Sequence, residues 1–384
     1  MTKIKALKIN GINVTKELSI LEINKIAAII SEKICNTYPE HNLNKSDLFI
    51  KLSRLNMYLA EFKDNSAAKY YYIDDSIYFN QNIDFNNITT PAIHECLHYL
   101  QAVKTPNGKL KRLGLYELNL INETGLALNE ASVQLMASIA TNDAVDTVKY
   151  YGLEFTTESP NYYPIECSLV KQMAYFTGTY PLYHSTLYSN DIFKNTFIMK
   201  SSEKTYNEIS KNMDSLVKLQ EALQKENEYL AYIEYNDGNS SKIKKAREQI
   251  EGLKNNIKTL TLQTQELIIV NCVNSDLNLV RDKKDIREFK EKLYNFQNNL
   301  IISEGYTFFN DFYCKMMEEL SIKRDLIEKY GIISQYNQIP ENLSLVETRK
   351  IKQNPIKLAF EKIKQLLKLN QENSTLKEEN FIQK

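Results

Sequence analysis

Apolar residues recur with helical spacing over most of this chain and with strand spacing only in its first third. "SILEINKIAAIISEKICNTYP" carries an apolar stripe of period 3.6, with Ser19 placed to cap, Glu22 to close a capping box and Pro39 just past the end. Residues 3–9 alternate weakly and predict a strand. A short helix and then a strand over "NMYLAEF" are expected within 46–63. "KYYYIDDSIYFNQNID" reads as a hairpin, two β-prone aromatic runs around Asp74-Asp75. "NNITTPAIHECLHYLQAVK" then begins a helix, with Thr90 as cap and Pro91 in the first turn. Residues 122–141 form a helix apolar on most sides, which predicts burial. A stretch rich in Tyr and Pro separates it from helices expected at 164–177 and 181–199.

From about residue 203 the pattern changes to charged helix. Ile209, Met213, Leu216, Leu223 and Leu230 keep heptad spacing, broken by Gln220 and Asn227. After a turn at 236–241, Ile243, Ala246, Ile250, Leu253, Ile257, Leu260 and Leu267 resume it, with Thr264 as the polar gap. Two such arms joined by a short polar turn predict an antiparallel coiled-coil hairpin of about 45 Å at 1.5 Å per residue. Further helices are expected at 282–302, 306–330 and 356–369. The expected organisation is a first domain over 1–202, the hairpin over 203–280, a helical region over 281–370 that packs on the core or stands with the hairpin, and a frayed tail over 371–384. The fold class is α+β and predominantly helical, with a small antiparallel sheet.

Bulk properties narrow the functional classes. Lys+Arg and Asp+Glu are 48 each, so net charge argues for neither nucleic-acid nor membrane binding. The amino terminus lacks an apolar run of signal-peptide length, and no segment is long enough to span a bilayer. Five cysteines without a CxxC pair suit reduced thiols, so the expected location is cytoplasmic.

Two of the four histidines, His94 and His98, stand four apart in "HECLH". On a helix they project from one face, where both imidazoles reach one ion. Glu95 lies about 100° round the helix, beside the metal yet able to hold a water against it. Chance supplies only about 0.004 HExxH matches in a chain this poor in histidine. The pattern points to zinc, which lowers the pKa of a water whose proton the carboxylate accepts. A third protein ligand is then required. The metzincin continuation is absent, since Gln101 and Lys104 occupy its positions. His41 and His184 are the remaining histidines; Glu117, Glu123 and Glu130 are the downstream carboxylates. Glu130 is favoured because it sits mid-helix in the apolar "GLALNEASVQLM", where a charge needs a partner.

HECLH followed by a helix bearing "LNEA" resembles the gluzincin, or thermolysin-like, zinc metallopeptidases over roughly residues 45–200. The resemblance implies a zincin-like domain, His94, His98 and Glu130 as zinc ligands, Glu95 as general base, and a peptide or protein substrate. It also implies a strand beside the cleft, for which "SIYFN" at 76–80 is the candidate, and a His or Tyr that stabilises the oxyanion. His184 is the sharpest candidate for that role; Tyr180, Tyr183, Tyr162 and Tyr163 are alternatives. One departure is Gln134, where the family often carries an Asp orienting a histidine; Gln accepts an imidazole N–H without charge. Two other readings stand beside this one. One is a zinc hydrolase of non-peptide amides; the other is a non-catalytic protein with a structural or vestigial zinc site, binding a partner or itself through the coiled coil.

Overall fold

Leu18 closes the first strand, β1 (Ile12–Glu17), onto its neighbour, and Ser19 turns the chain into α1 (Ile20–Thr37). The expected capping box is present, with Ser19 and Glu22 exchanging side-chain and backbone bonds. α2 (Lys45–Leu52), capped by Asn44, leads into β2 (Asn56–Phe62). The hairpin around Asp74-Asp75 is β3 (Ala68–Tyr71) and β4 (Ser76–Asn80), with Asp75 in the left-handed region at φ 52. The computed structural model describes residues 12–63, 66–84, 89–118 and 124–330. The strand expected at 3–9, Glu123, the helix expected at 356–369 and the tail at 371–384 lie outside the described residues.

The four strands form one sheet in the order β1-β2-β4-β3. This corrects two expectations. The sheet is mixed, because β2 and β4 pair in parallel, with Met57 opposite Ile77 and Leu59 opposite Phe79. The 76–80 strand is interior, and β3 is the edge. The cause is the connection: the chain leaves β2, skips one strand position to lay down β3, then returns through the hairpin into the gap. Burial on both faces of β4 agrees with an interior place, since Ile77, Tyr78 and Phe79 are all fully buried.

α3 (Thr90–Gln101) packs against β3 and β4, and its N-cap position is Thr89 rather than Thr90. The Thr90 hydroxyl instead reaches the Asp143 carboxylate at 2.7 Å. Three short antiparallel strands follow: β5 (Ala102–Lys104), β6 (Leu110–Leu113) and β7 (Tyr116–Glu117). α4 (Leu126–Thr141) packs against α3 and is buried nearly all round, as its composition requires. β8 (Asp146–Tyr150) and β9 (Leu153–Thr157) form a hairpin that periodicity did not reveal. α5 (Pro164–Thr177) follows as expected. The helix expected at 181–199 is two, α6 (Thr179–Tyr188) and α7 (Ile192–Lys200), broken where Ser189 turns left-handed at φ 49.

The long helices are α8 (Glu203–Asn236) and α9 (Ser240–Leu279). They run antiparallel: Thr205 meets Asn271 near one end, and Glu234 pairs with Arg247 near the other. Their proximal halves pack on α4, α5 and α7. Ile209, Met213, Leu216 and Leu223 are buried as the heptads require, whereas Leu230 is partly open. Thr264 is buried and satisfies its hydroxyl on the Leu260 carbonyl, which resolves the polar gap without a partner helix.

α10 (Lys283–Phe296) buries Ile286, Phe289, Leu293 and Phe296, and Phe296 packs edge-on to Tyr175 and tilted against Phe176 of α5. A two-residue strand, β10 (Ile302–Ser303), pairs with β9, and α11 (Phe308–Tyr330) ends the described chain. Among the described residues, those of 12–280 together with 284–322 form one compact unit, so the helix pair shares a unit with α1 to α7. Residues 281–283 and 323–330 belong to a second, in which Lys283 lies 3.5 Å from Glu328.

Glu166, in the first turn of α5, is fully buried and neither oxygen makes a full hydrogen bond. Burial pushes its carboxyl from 4.5 up to about 7, with its own N–H and the Gln220 amide of α8 opposing. The folded chain therefore holds a proton that the unfolded chain releases above 4.5. The stability from this proton is complete below 4.5 and is lost as pH rises through 7. Glu166→Gln is expected to match the wild type in denaturant unfolding at pH 4, and to exceed it at pH 8 by up to about 3 kcal/mol.

Candidate metal centre

Helix geometry on α3 and α4 builds the site. His94 and His98 are one turn apart on α3, and Glu130 and Gln134 are one turn apart on α4. Small residues on α4, among them Ala127, Ala131 and Ala137, let the two helices pack closely. The far end is pinned where Thr90, at the start of α3, bonds Thr141 and Asp143 at the end of α4.

Three ligand-type atoms converge. His94 Nε2 and His98 Nε2 are 2.9 Å apart, and Glu130 Oε2 lies 3.2 Å from the first and 3.3 Å from the second. Donors around a tetrahedral divalent ion at about 2.0–2.1 Å stand about 3.3 Å from one another. The triangle fits such an ion, and these three residues form a group that could hold one. Burial acts to raise the Glu130 carboxyl, but the His98 and His94 imidazoles outweigh it and hold the carboxyl far below its usual range.

The outer nitrogens of both rings are held by glutamines. His94 Nδ1–H donates to Gln134 Oε1 at 2.9 Å, which leaves Nε2 as an unshared pair facing Glu130. The Gln134 amide is fixed in turn by Ser138 and Ser159. The Gln101 amide lies 2.7 Å from His98 Nδ1, and its Oε1 is buried without a partner. A half-turn of that amide places the oxygen on Nδ1 and frees His98 Nε2 for the ion. The arrangement then points two nitrogen pairs and a carboxylate at one spot, which only a cation relieves. Gly114 presses on this layer: a Cβ there would lie 2.2 Å from Gln101 Oε1, and its φ of 53 is left-handed. Gln101 follows His98 by three residues on the same helix, a spacing that marks it in the sequence.

Glu95 is on the adjoining face of α3. Its Oε2 accepts the Tyr70 N–H of edge strand β3 at 2.6 Å. Burial pushes its carboxyl up to about 7; His94 and the Tyr70 N–H oppose the rise and Glu130 adds to it. β3 is itself anchored, since Tyr70 Oη and Lys104 Nζ both reach Asp75 Oδ1.

The other sequence candidates are elsewhere. Glu117 pairs with Arg112 on β6 and is not in the group. His41 is buried and stacked on Tyr180 at 4.7 Å. His184 makes its contacts with Asn190, His41, Tyr180 and Tyr188, and none with His94, Glu95, His98 or Glu130. Tyr183 packs edge-on to Tyr38, and Tyr162 is exposed. Tyr163 has its phenol driven upward, by burial first and then by the charges of Glu130, Glu166 and Glu95. It also holds φ 49, unusual for an aromatic residue, immediately before Pro164. His184 stood out in the sequence because an imidazole suits oxyanion stabilisation, and nothing local shows that its helix turns it into a separate ring cluster.

No family model, curated protein or solved structure matches this chain. No helix among the described residues is long and apolar enough to cross a membrane.

Gln134→Leu keeps the volume and removes the acceptor on His94. It is expected to weaken divalent-metal affinity by about 10–100-fold, read by competition with a fluorescent chelator.

Proposed function

We propose that this protein is a zinc-dependent metallopeptidase of the gluzincin kind, with a zincin-like catalytic part within the first 202 residues. The observation that carries the reading is the convergence of His94, His98 and Glu130 beside a Glu95 held on the adjoining helix face. Two neutral imidazoles and one carboxylate are a donor set suited to zinc, with a fourth position left for water or substrate. Zinc bound there would supply Lewis acidity, easing deprotonation of water and polarising a carbonyl.

The chain's own groups do the rest. Glu95 takes the proton of the attacking water and returns it to the leaving amine. The Tyr70 N–H holds one carboxylate oxygen, so the other is the one turned to the water. Tyr163 is assigned the oxyanion, in place of His184: its hydroxyl donates to the developing charge. β3, as the edge strand next to Glu95, is the element along which an extended peptide pairs, in place of the 76–80 strand. We read α8–α9 as an antiparallel coiled coil whose distal end is the partner-facing part. There Tyr229, Tyr232 and Tyr235 are exposed.

Elemental analysis of the purified protein is expected to find one zinc per chain. A fluorogenic peptide library is expected to be cut by the wild type. His94→Ala should lose the zinc. Glu95→Gln should keep it and lose about 10²–10⁴-fold in turnover. Full zinc occupancy with no cleavage of any peptide would move the protein to the non-catalytic reading, and metal-free protein with intact cleavage would remove the site.

A further inference from the structure

We infer that Asp214 of α8 is a positioning residue for the metal centre, holding the first turn of α4 in the register that presents Glu130 and Gln134. The inference rests on the metal-binding reading of His94, His98 and Glu130.

α4 begins without a cap of its own. The preceding residue is Gly125 at φ 96, which has no side chain to offer, and no acid stands in the first turn. The helix's leading N–H groups need acceptors from elsewhere. Asp214 supplies them from 89 and 87 residues away: Oδ2 accepts the Gly125 N–H at 2.8 Å and Oδ1 the Ala127 N–H at 2.9 Å. A carboxylate at a helix amino end is also favoured by the dipole. The approach is close because position 125 is glycine; a Cβ there would come within 3.3 Å of Ser210 Oγ, one turn before Asp214 on α8.

The grip reaches the ligand in one step. The Asn129 N–H bonds the Gly125 carbonyl at 3.0 Å, so the first helical turn starts on the residue that Asp214 holds. Glu130 is the next residue, and Gln134 lies one turn beyond on the same face. Glu130 is the only ligand of the three not carried by α3. Fraying of this turn would move Glu130 and the acceptor on His94 together, while His94 and His98 kept their places. The long helix pair is thus part of the frame of the centre.

The test is zinc affinity of the full-length chain, by competition with a fluorescent chelator, in wild type, Asp214→Ala, Asp214→Asn and a control, Asp276→Asn. Asp276 joins Lys200 to Lys292, on α7 and α10, and does not touch α4. Asp214→Ala should weaken zinc binding about tenfold or more, as loss of outer-layer support does. Asp214→Asn, which keeps one acceptor oxygen, should fall between. Asp276→Asn should lower the melting temperature and leave zinc affinity at the wild-type value. Hydrogen exchange over 126–130 should quicken in zinc-free Asp214→Ala. Folded Asp214→Ala with wild-type affinity overturns the inference; if that variant does not fold, wild-type affinity in Asp214→Asn does so. Wild-type protein that takes up no zinc overturns the metal reading itself, and this role with it.

Discussion

Two imidazole nitrogens and a carboxylate oxygen, all within 3.3 Å of one another, are the constraint around which this molecule is organised. Gln134 holds the outer nitrogen of His94 as a donor; with the Gln101 amide turned to present its oxygen, the same holds for His98, and the inner nitrogens then carry unshared pairs directed at each other and at an anion. Such a cluster is unfavourable in a buried place unless a cation sits within it. The packing of α3 on α4 and the Thr90–Asp143 pin at their far end both serve that one convergence.

Three acids around this region are treated differently; Glu166 is fully buried, while Glu95 and Glu130 are half-buried. Glu130 faces two imidazoles and stays charged. Glu95 has a single backbone N–H and a neighbouring carboxylate, so burial leaves it near 7. Glu166 has no full hydrogen bond and sits near 7 for the same cause. The partners differ, and that separates a group suited to holding a cation from one suited to exchanging a proton.

The support of the centre is spread along the chain. Gln101 comes from α3 itself, Gln134 from α4, Tyr70 from the sheet edge and Asp214 from the long helix pair. The helix pair packs its proximal half against α4, α5 and α7, and its distal tyrosines remain in solvent.

Local signals carried much of this in the sequence alone. The capping box at Ser19, the hairpin at Asp74-Asp75, the i, i+4 pair in HECLH, the apolar helix around Glu130 and the turn between α8 and α9 depend on residues within a few positions of each other, where propensity and periodicity act. What only the tertiary structure decided is whatever depends on partners far along the chain. It placed β4 inside a mixed sheet with β3 at its edge, because strand order follows from how the connection skips a position. It put the N-cap position of α3 at Thr89 and gave Thr90 to Asp143. It turned His184 toward His41 and brought Tyr163 under the charges of Glu95 and Glu130. It reached across 89 residues to cap α4 with Asp214, an encounter no local pattern encodes because loop closure and packing choose it.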